Sequence, residues 1–120
     1  MVTKDNTSIY VQLADKIADD IASGKLCEDA KIPSVRELAA NYEVNANTAM
    51  KTIEMLASND IIYNKRGVGY FVTKGSNEKI LGRRREEFVE NHLPNLLRAM
   101  KQLNISFDDL KKMSKEINVE

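Results

Sequence analysis

Residues 32–72 read IPSVRELAANYEVNANTAMKTIEMLASNDIIYNKRGVGYFV, and the order of helix starts, turn and glycines in this stretch decides the fold. Ser34 and Glu37 have the spacing of a capping box. In that motif the serine hydroxyl accepts from the backbone N–H three residues on, and the glutamate accepts from the serine N–H. Leu38 and Ala39 then supply the buried side of a short helix.

A second helix is predicted after a short turn. We expect Tyr42 and Val44 to anchor the turn. Asn45 is a suitable N-cap because its side-chain oxygen can accept from a backbone N–H of the first helical turn. Apolar residues then recur at helical spacing, namely Ala49, Ile53 and Leu56. The pattern predicts a helix over about residues 45–58.

A hairpin is predicted next. Ile61–Asn64 and Tyr70–Thr73 are rich in strand-forming residues. Lys65–Gly69 lies between them and supplies two glycines and two cations, as a hairpin tip requires. Alone, this could be a plain hairpin with solvated cations, and the glycines could serve only the turn. The two preceding helices favour the wing of a winged helix-turn-helix.

The start of the second helix is the candidate contact surface. It leaves Asn45, Ala46, Asn47, Thr48 and Lys51 at or near an exposed amino end. A recognition helix presents that end to base edges in the major groove of DNA. These residues therefore point to sequence-specific DNA binding. Thr48 fits a structural role as well as a DNA contact, because a threonine in the first turn can serve the helix cap.

The chain has 120 residues, enough for one domain and a short appendage. No stretch reaches the roughly 18 apolar residues of a membrane span. Met1–Asn6 lacks the apolar core of a signal peptide, so we expect the protein to stay in the cytoplasm. Cys27 is the single cysteine and His92 the single histidine, which argues against a disulfide or a metal site.

The charges balance, with 18 basic and 18 acidic residues. This neutrality counts against a nucleic-acid binder, which is often strongly basic. The cations in or beside the predicted contact surface are Arg36, Lys51, Lys65 and Arg66. The acids Asp15, Asp19 and Asp20 lie on a different predicted helix. A neutral total is compatible with DNA binding if the cations are focused on one face.

The predicted fold is mainly α with a small β-hairpin. A first helix spans about Ile9 to Ser23 and ends at Gly24, which suits the position after a helix end. Its apolar stripe consists of Tyr10, Leu13, Ala14, Ile17 and Ile21. Lys31–Ile32 could form a minimal strand before Pro33. We place a domain boundary at Lys74–Ser76. Residues 1–75 then form a winged helix-turn-helix DNA-binding domain, and residues 76–120 form a helical tail.

The tail is predicted to be a hairpin of helices. Pro94 must either kink or divide its first helix. Asn104 resembles a helix stop, and Ser106 a cap for a second helix. Such a hairpin has little interior of its own, so its apolar stripe should pack against a second copy of the chain. The predicted dimerisation residues are Leu81, Phe88, Leu96, Leu97, Met100, Leu103, Leu110, Met113 and Ile117.

Four separated motifs occur in order along the chain: SIYVQ at residues 8–12, PSVRELA at 33–39, VNANT at 44–48 and RGVGYFV at 66–72. Together they resemble the signature of the GntR family of bacterial regulators. The short helical tail is similar to that of the YtrA subfamily, in which the tail mainly dimerises. The resemblance implies a homodimeric transcriptional regulator, most often a repressor, that binds a double-stranded inverted-repeat operator.

The resemblance also implies DNA contacts on particular residues. They would fall on Ser34, Arg36, Asn45, Asn47, Thr48, Lys51 and the wing-tip residues Arg66, Gly67 and Gly69, next to Lys65. Many relatives have arginine where this chain has Ala46 and Met50, which puts the usual operator sequence of the family in doubt. Asn47 could instead read adenine.

Two other classes of function compete with this interpretation. A winged helix can serve as a protein-interaction module without specific DNA binding, and the neutral charge favours this slightly. An enzyme has almost no support, because the sequence lacks a nucleophile–base pair, metal-ligand spacing and a phosphate loop. No cofactor or metal is predicted, no catalytic residue is assigned, and no residue is assigned to a small-molecule effector.

Overall fold

A computed structural model describes residues 8–117. Met1–Asn6 and the last residues of the predicted tail lie outside them. The elements are α1 (Ile9–Ala22), α2 (Val35–Tyr42), α3 (Ala46–Ser58), β1 (Ile62–Lys65), β2 (Gly69–Val72), α4 (Ser76–Asn91), α5 (Leu93–Gln102) and α6 (Phe107–Glu116). This confirms the predicted class, mainly helical with a small antiparallel hairpin. The chain divides into two compact units, one up to Gly82 and the other from Arg83 onward.

The first unit is built around α3, which packs against both α1 and α2. Its core comprises Leu13, Ala14, Ile17, Ile21, Ile32, Leu38, Ala49, Ile53, Leu56, Ile61, Ile62, Val72 and Ile80. The first turns of α4 belong to this unit, since Ile80 is buried in the core and the buried Ser76 hydroxyl donates to the carbonyl of Ile61 at 2.7 Å. The predicted stripes of α1 and α3 therefore form a single core.

The helix ends follow the predicted chemistry. Ser34 and Glu37 form the capping box at the start of α2. Asn45 caps α3 by accepting from the Thr48 N–H at 2.8 Å. Gly24 has a φ of 85° after the end of α1. Because these short-range signals are satisfied within a few residues of chain, the sequence determines them directly.

The wing is a two-stranded antiparallel hairpin. Tyr63 pairs with Phe71 and Lys65 pairs with Gly69, so the tip consists of residues 66–68. Lys31 forms an isolated bridge with Phe71, and the Ile32 N–H donates to the carbonyl of Tyr70 at 3.0 Å. The predicted minimal strand at Lys31–Ile32 therefore lies along the free edge of β2.

The second unit contains the rest of α4 together with α5 and α6. Pro94 divides the tail, because it lies in the first turn of α5 and His92 separates this helix from α4. Asn104 has a φ of 55° beyond the end of α5, as its role as a helix stop requires. Ser106 forms a second capping box with Asp109.

Two side chains differ from expectation. Tyr42 was predicted to anchor the turn after α2 but is 41 % exposed, since Leu38 already fills the core below that helix. Met100 was placed with the dimerisation residues, yet it is only 6 % exposed within the single chain. Ile105 lies close to it, since the Ile105 N–H donates to the Met100 carbonyl at 2.9 Å and the two residues line the same surface pocket. No described helix is long and apolar enough to cross a membrane.

Candidate nucleic-acid interface

Helix α3 presents a polar face at its amino end. Ala49, Thr52, Ile53 and Leu56 form its buried side. Asn45, Ala46, Asn47 and Lys51 are exposed on the opposite side, while Thr48 is half-buried. The Asn45 side-chain oxygen is used by the cap, which leaves its amide N–H₂ group available for a ligand. The first turn therefore combines a fixed backbone with free amide donors.

Two contacts fix α3 against α1. The Thr52 hydroxyl, which is completely buried, lies 3.1 Å from the carbonyl oxygen of Tyr10 and 3.0 Å from that of Thr48. The Lys51 ammonium lies 5.8 Å from the centre of the Tyr10 ring. This distance permits a cation–π interaction, which holds the charge at the edge of the exposed face. The orientation of α3 is thus set by buried and half-buried partners.

The start of α2 provides a second group of polar side chains. The Ser34 hydroxyl accepts from the Glu37 N–H at 3.1 Å, and the Glu37 carboxylate accepts from the Ser34 N–H at 3.0 Å. The Ser34 backbone and side-chain hydrogen bonds lower the pKa of Glu37. Arg36 is exposed, and its guanidinium has no hydrogen bond or ion pair within residues 8–117. It is therefore available to a phosphate or a base.

The wing tip combines cations with glycines. The Val68 N–H donates to the carbonyl of Lys65 at 2.9 Å and closes the turn. Gly67 and Gly69 have φ angles of 79° and 139°, so both glycines are required by the backbone. Arg66 is exposed between them and Lys65. The structural requirement for the glycines does not exclude a role at DNA, because a tip with few side chains can enter a narrow groove.

Lys31 is a candidate contact that the sequence interpretation missed. Its Cε lies 3.0 Å from the position that a Cβ at Gly69 would occupy. Its charge also helps to lower the pKa of Glu37, after the larger effect of the hydrogen bonds from Ser34. Lys31 therefore lies between the start of α2 and the wing. The one available signal was the predicted minimal strand, which pairs with β2 only after the chain has folded.

The outer face of the wing is partly aromatic. Tyr63 and Phe71 stack with their ring centres 5.9 Å apart. The Lys65 ammonium lies 4.8 Å from the centre of the Phe71 ring, close enough for a cation–π interaction. The Tyr63 hydroxyl donates to Asp29 at 2.8 Å, which raises the pKa of Tyr63. These contacts hold the base of the wing in place.

The predicted DNA-contact residues all lie in the first unit, on α3, at the start of α2 and on the wing. The predicted dimerisation residues lie on α4, α5, α6 and their ends. Apart from Met100 they are between 41 % and 69 % exposed: Leu81, Phe88, Leu96, Leu97, Leu103, Leu110, Met113 and Ile117. Phe107, which was not predicted, is 72 % exposed. Surfaces of this kind commonly mark an interface.

The single histidine has a local role. The His92 ring lies 3.3 Å from the Glu87 carboxylate and 5.8 Å from the centre of the Phe88 ring. Across residues 8–117 no group of three or more histidine, cysteine, aspartate or glutamate side chains could hold a metal ion.

Comparison with known proteins supports a regulatory role. Residues 9–72 match the family described as "Bacterial regulatory proteins, gntR family". The chain is 28 % identical over 102 residues to the HTH-type transcriptional regulator YhcF of Bacillus subtilis (strain 168), covering 85 % of this chain and 83 % of YhcF. This relative is named as a transcriptional regulator, not as an enzyme.

Solved structures show the same fold. A GntR-family transcriptional regulator from Bacteroides thetaiotaomicron is 43 % identical with a TM-score of 0.74, covering 92 % of this chain and 96 % of that one. The structure of AraR(DBD) in complex with operator ORR3 is 32 % identical with a TM-score of 0.55, covering 61 % of this chain and 88 % of that one. The part that resembles AraR(DBD) is therefore similar to a module crystallised on DNA.

Proposed function

The chain belongs to the GntR family of DNA-binding transcriptional regulators, and we propose that it acts as a homodimeric repressor on an inverted-repeat operator. The observation that carries this proposal is the amino end of α3. It is capped by Asn45, fixed to α1 through the buried Thr52, and exposed along Asn47 and Lys51. A rigid helix with free donors at its amino end is what readout of base edges requires.

Helix α3 would lie in the major groove of the operator. Its 13 residues give a length of about 20 Å, which suits a groove about 12 Å wide. Asn47 would contact bases, while Lys51 would bind a phosphate, since a single ammonium adds affinity without reading sequence. Arg36 and Ser34 would contact the backbone or a guanine near the start of α2.

The wing, residues 65–69, would enter the minor groove. Arg66 would be its leading side chain, because it is exposed at the tip and is followed directly by Gly67, which has no side chain. Arginine is favoured in a narrow minor groove, where the negative potential is strongest. Lys65 and Lys31 would reach the phosphates on either side of the tip.

The helical tail would form the dimer. Eight predicted apolar residues and Phe107 are exposed on α4, α5, α6 and their ends, and a second copy would cover them. The tail is also short, which is the basis for placing the chain in the YtrA-like subfamily with residues 76–120 as the dimerisation domain. Dimerisation matters for affinity, because one copy offers few phosphate contacts and carries no net charge.

Repression would follow from occupancy of the operator by the dimer. A dimer on two half-sites about one helical turn apart would cover DNA that RNA polymerase also needs. This mechanism would use both the exposed polar residues of α3 and the wing and the exposed apolar residues of the tail. No small-molecule effector is assigned.

Selection from a random duplex pool tests the proposal against a protein-interaction module. The purified full chain is incubated with the pool at moderate salt, and bound duplexes are amplified and sequenced. A DNA-binding dimer enriches an inverted repeat. An interaction module enriches no shared sequence, and that result would refute the proposal. The variant Asn47→Ala serves as the control, since it should weaken enrichment without disturbing the cap.

A further inference from the structure

Met50 is 45 % exposed and lies on the face of α3 that the proposed function places against DNA. At 100° per residue, it lies about 60° from Asn47 around the helix axis and about 40° from Ala46. Lys51 lies on the other side of Asn47, where its ammonium approaches the Tyr10 ring. The face therefore has a polar centre, a cationic flank and an apolar flank formed by Ala46 and Met50.

The apolar flank limits what this helix can recognise. Met50 gains from burial only against another apolar group. In the major groove the C5-methyl of thymine is the apolar group that a base pair presents. Helix α3 contains no arginine, so a bidentate arginine contact to guanine is not available from it.

The side-chain amide of Asn47, which lies beside this apolar flank, suits the adenine of an A·T pair. Asn47 is exposed, and its side chain has no hydrogen bond with any residue from Ser8 to Ile117. A free asparagine amide can accept from N6 and donate to N7 of adenine. Adenine and thymine face each other in one pair, so an amide and an adjacent apolar side chain can read the same or neighbouring A·T pairs.

We infer that Met50, together with Ala46, contacts thymine C5-methyl groups, and that α3 consequently selects A·T pairs at the centre of each operator half-site. The inference rests on the proposed function, since it needs α3 in the major groove. It goes beyond that function by naming the chemical group that is read and the residue that reads it.

The test removes the methyl group alone. Duplexes enriched by the full chain are resynthesised with deoxyuridine in place of thymidine, one position at a time, and their dissociation constants are measured. We expect the wild-type chain to lose about fourfold in affinity at one or two positions per half-site, as burial of one methyl group predicts. Replacement at other positions should have no effect.

Variants of Met50 connect the loss to this side chain. Met50→Ala should bind thymine and uracil duplexes equally at those positions, whereas Met50→Leu should keep the preference for thymine. Met50 is exposed, so thermal unfolding of both variants should match that of the wild type. Two results would overturn the inference while DNA binding stands: equal sensitivity to uracil in the wild type and Met50→Ala, or no position at which uracil in place of thymine weakens wild-type binding. Failure to enrich any duplex would refute the proposed function itself and the inference with it.

Discussion

The side chain of Lys31 passes over Gly69, with its Cε 3.0 Å from the position that a Cβ at residue 69 would occupy. Glycine at this position leaves room for the lysine stem, and the stem places an ammonium group beside the wing. The positive φ of Gly69 independently restricts the position to glycine. One glycine thus serves both the turn and the placement of a cation.

Lys31→Met should weaken operator binding and reduce its salt dependence. Methionine keeps most of the stem and removes the charge. The slope of the logarithm of the binding constant against the logarithm of salt concentration should fall in magnitude by about one unit, as expected for one lost phosphate contact. Titrations at several salt concentrations measure this.

The matched control for that experiment is Lys74→Met. Lys74 is exposed just beyond the end of β2 that is opposite the wing tip. Its removal should leave the slope unchanged. If Lys31→Met and Lys74→Met change the salt dependence of operator binding by the same amount, Lys31 does not contact DNA specifically.

Asn45→Asp should separate capping from DNA contact. Aspartate caps helices as well as asparagine, so the melting temperature should stay close to that of the wild type. The added negative charge would face DNA phosphates, so operator affinity should fall at least tenfold at low salt. Asn45→Ala should instead lose about 1 kcal/mol of stability. Unchanged affinity of Asn45→Asp in a band-shift titration would remove Asn45 from the interface.

Leu103→Glu should weaken the dimer. Leu103 is 69 % exposed at the end of α5, so a glutamate there is tolerated in the monomer but is costly in an apolar dimer interface. Sedimentation equilibrium of the wild type should give twice the chain mass of 13.6 kDa. The dissociation constant of the variant dimer should be at least tenfold higher than that of the wild type. Gln102→Glu, at the exposed last residue of α5, adds the same single negative charge and is the control for a change of charge alone.

Two sedimentation results would contradict this model of the dimer. A wild-type chain that sediments at its single-chain mass would show that the exposed apolar residues of the tail do not join two copies. A variant Leu103→Glu with unaltered dissociation would place the interface elsewhere on the tail.

Stability should depend on Glu37 in acid. Its pKa is lowered in the folded state, chiefly because the backbone N–H of Ser34 donates to its carboxylate. A depressed pKa means that this stabilisation is present above the unfolded value, about 4.3, and is lost as the pH falls through the lower folded value. Glu37→Gln keeps a neutral capping group.

The comparison is made by thermal unfolding at a series of pH values. Between about pH 5 and about pH 3, the melting temperature of the wild type should fall more than that of Glu37→Gln. Asp109 also has a lowered pKa, but it is present in both proteins and its contribution cancels. Parallel curves would show that the capping box does not contribute through its charge.

Local signals in the sequence predicted most of the fold. The caps at Ser34 and Asn45, the glycine at position 24 and the stop at Asn104 each depend on contacts a few residues away. Helical periodicity likewise predicted the buried sides of α1 and α3. Such features need no knowledge of the tertiary structure.

The features that were missed depend on distant parts of the chain. Lys31 joins the wing only because its segment bridges β2 at Phe71. Met100 carries the same apolar spacing as its neighbours on α5, and only the path of the chain around Ile105 shows that it is buried in the monomer. Periodicity identifies an apolar stripe, but it does not say which members of the stripe remain for a partner.

Footprinting of the purified protein on the DNA upstream of its own gene, with its mass determined in the same buffer, tests the central claim most directly. The account predicts two protected half-sites whose centres lie about 10 bp, or a multiple of that, apart, occupied by one dimer. It also predicts that Asn47→Ala loses the protection while remaining folded and dimeric. Absence of a protected inverted repeat, or equal protection by the wild type and Asn47→Ala, would contradict the assignment of α3 as the element that reads DNA.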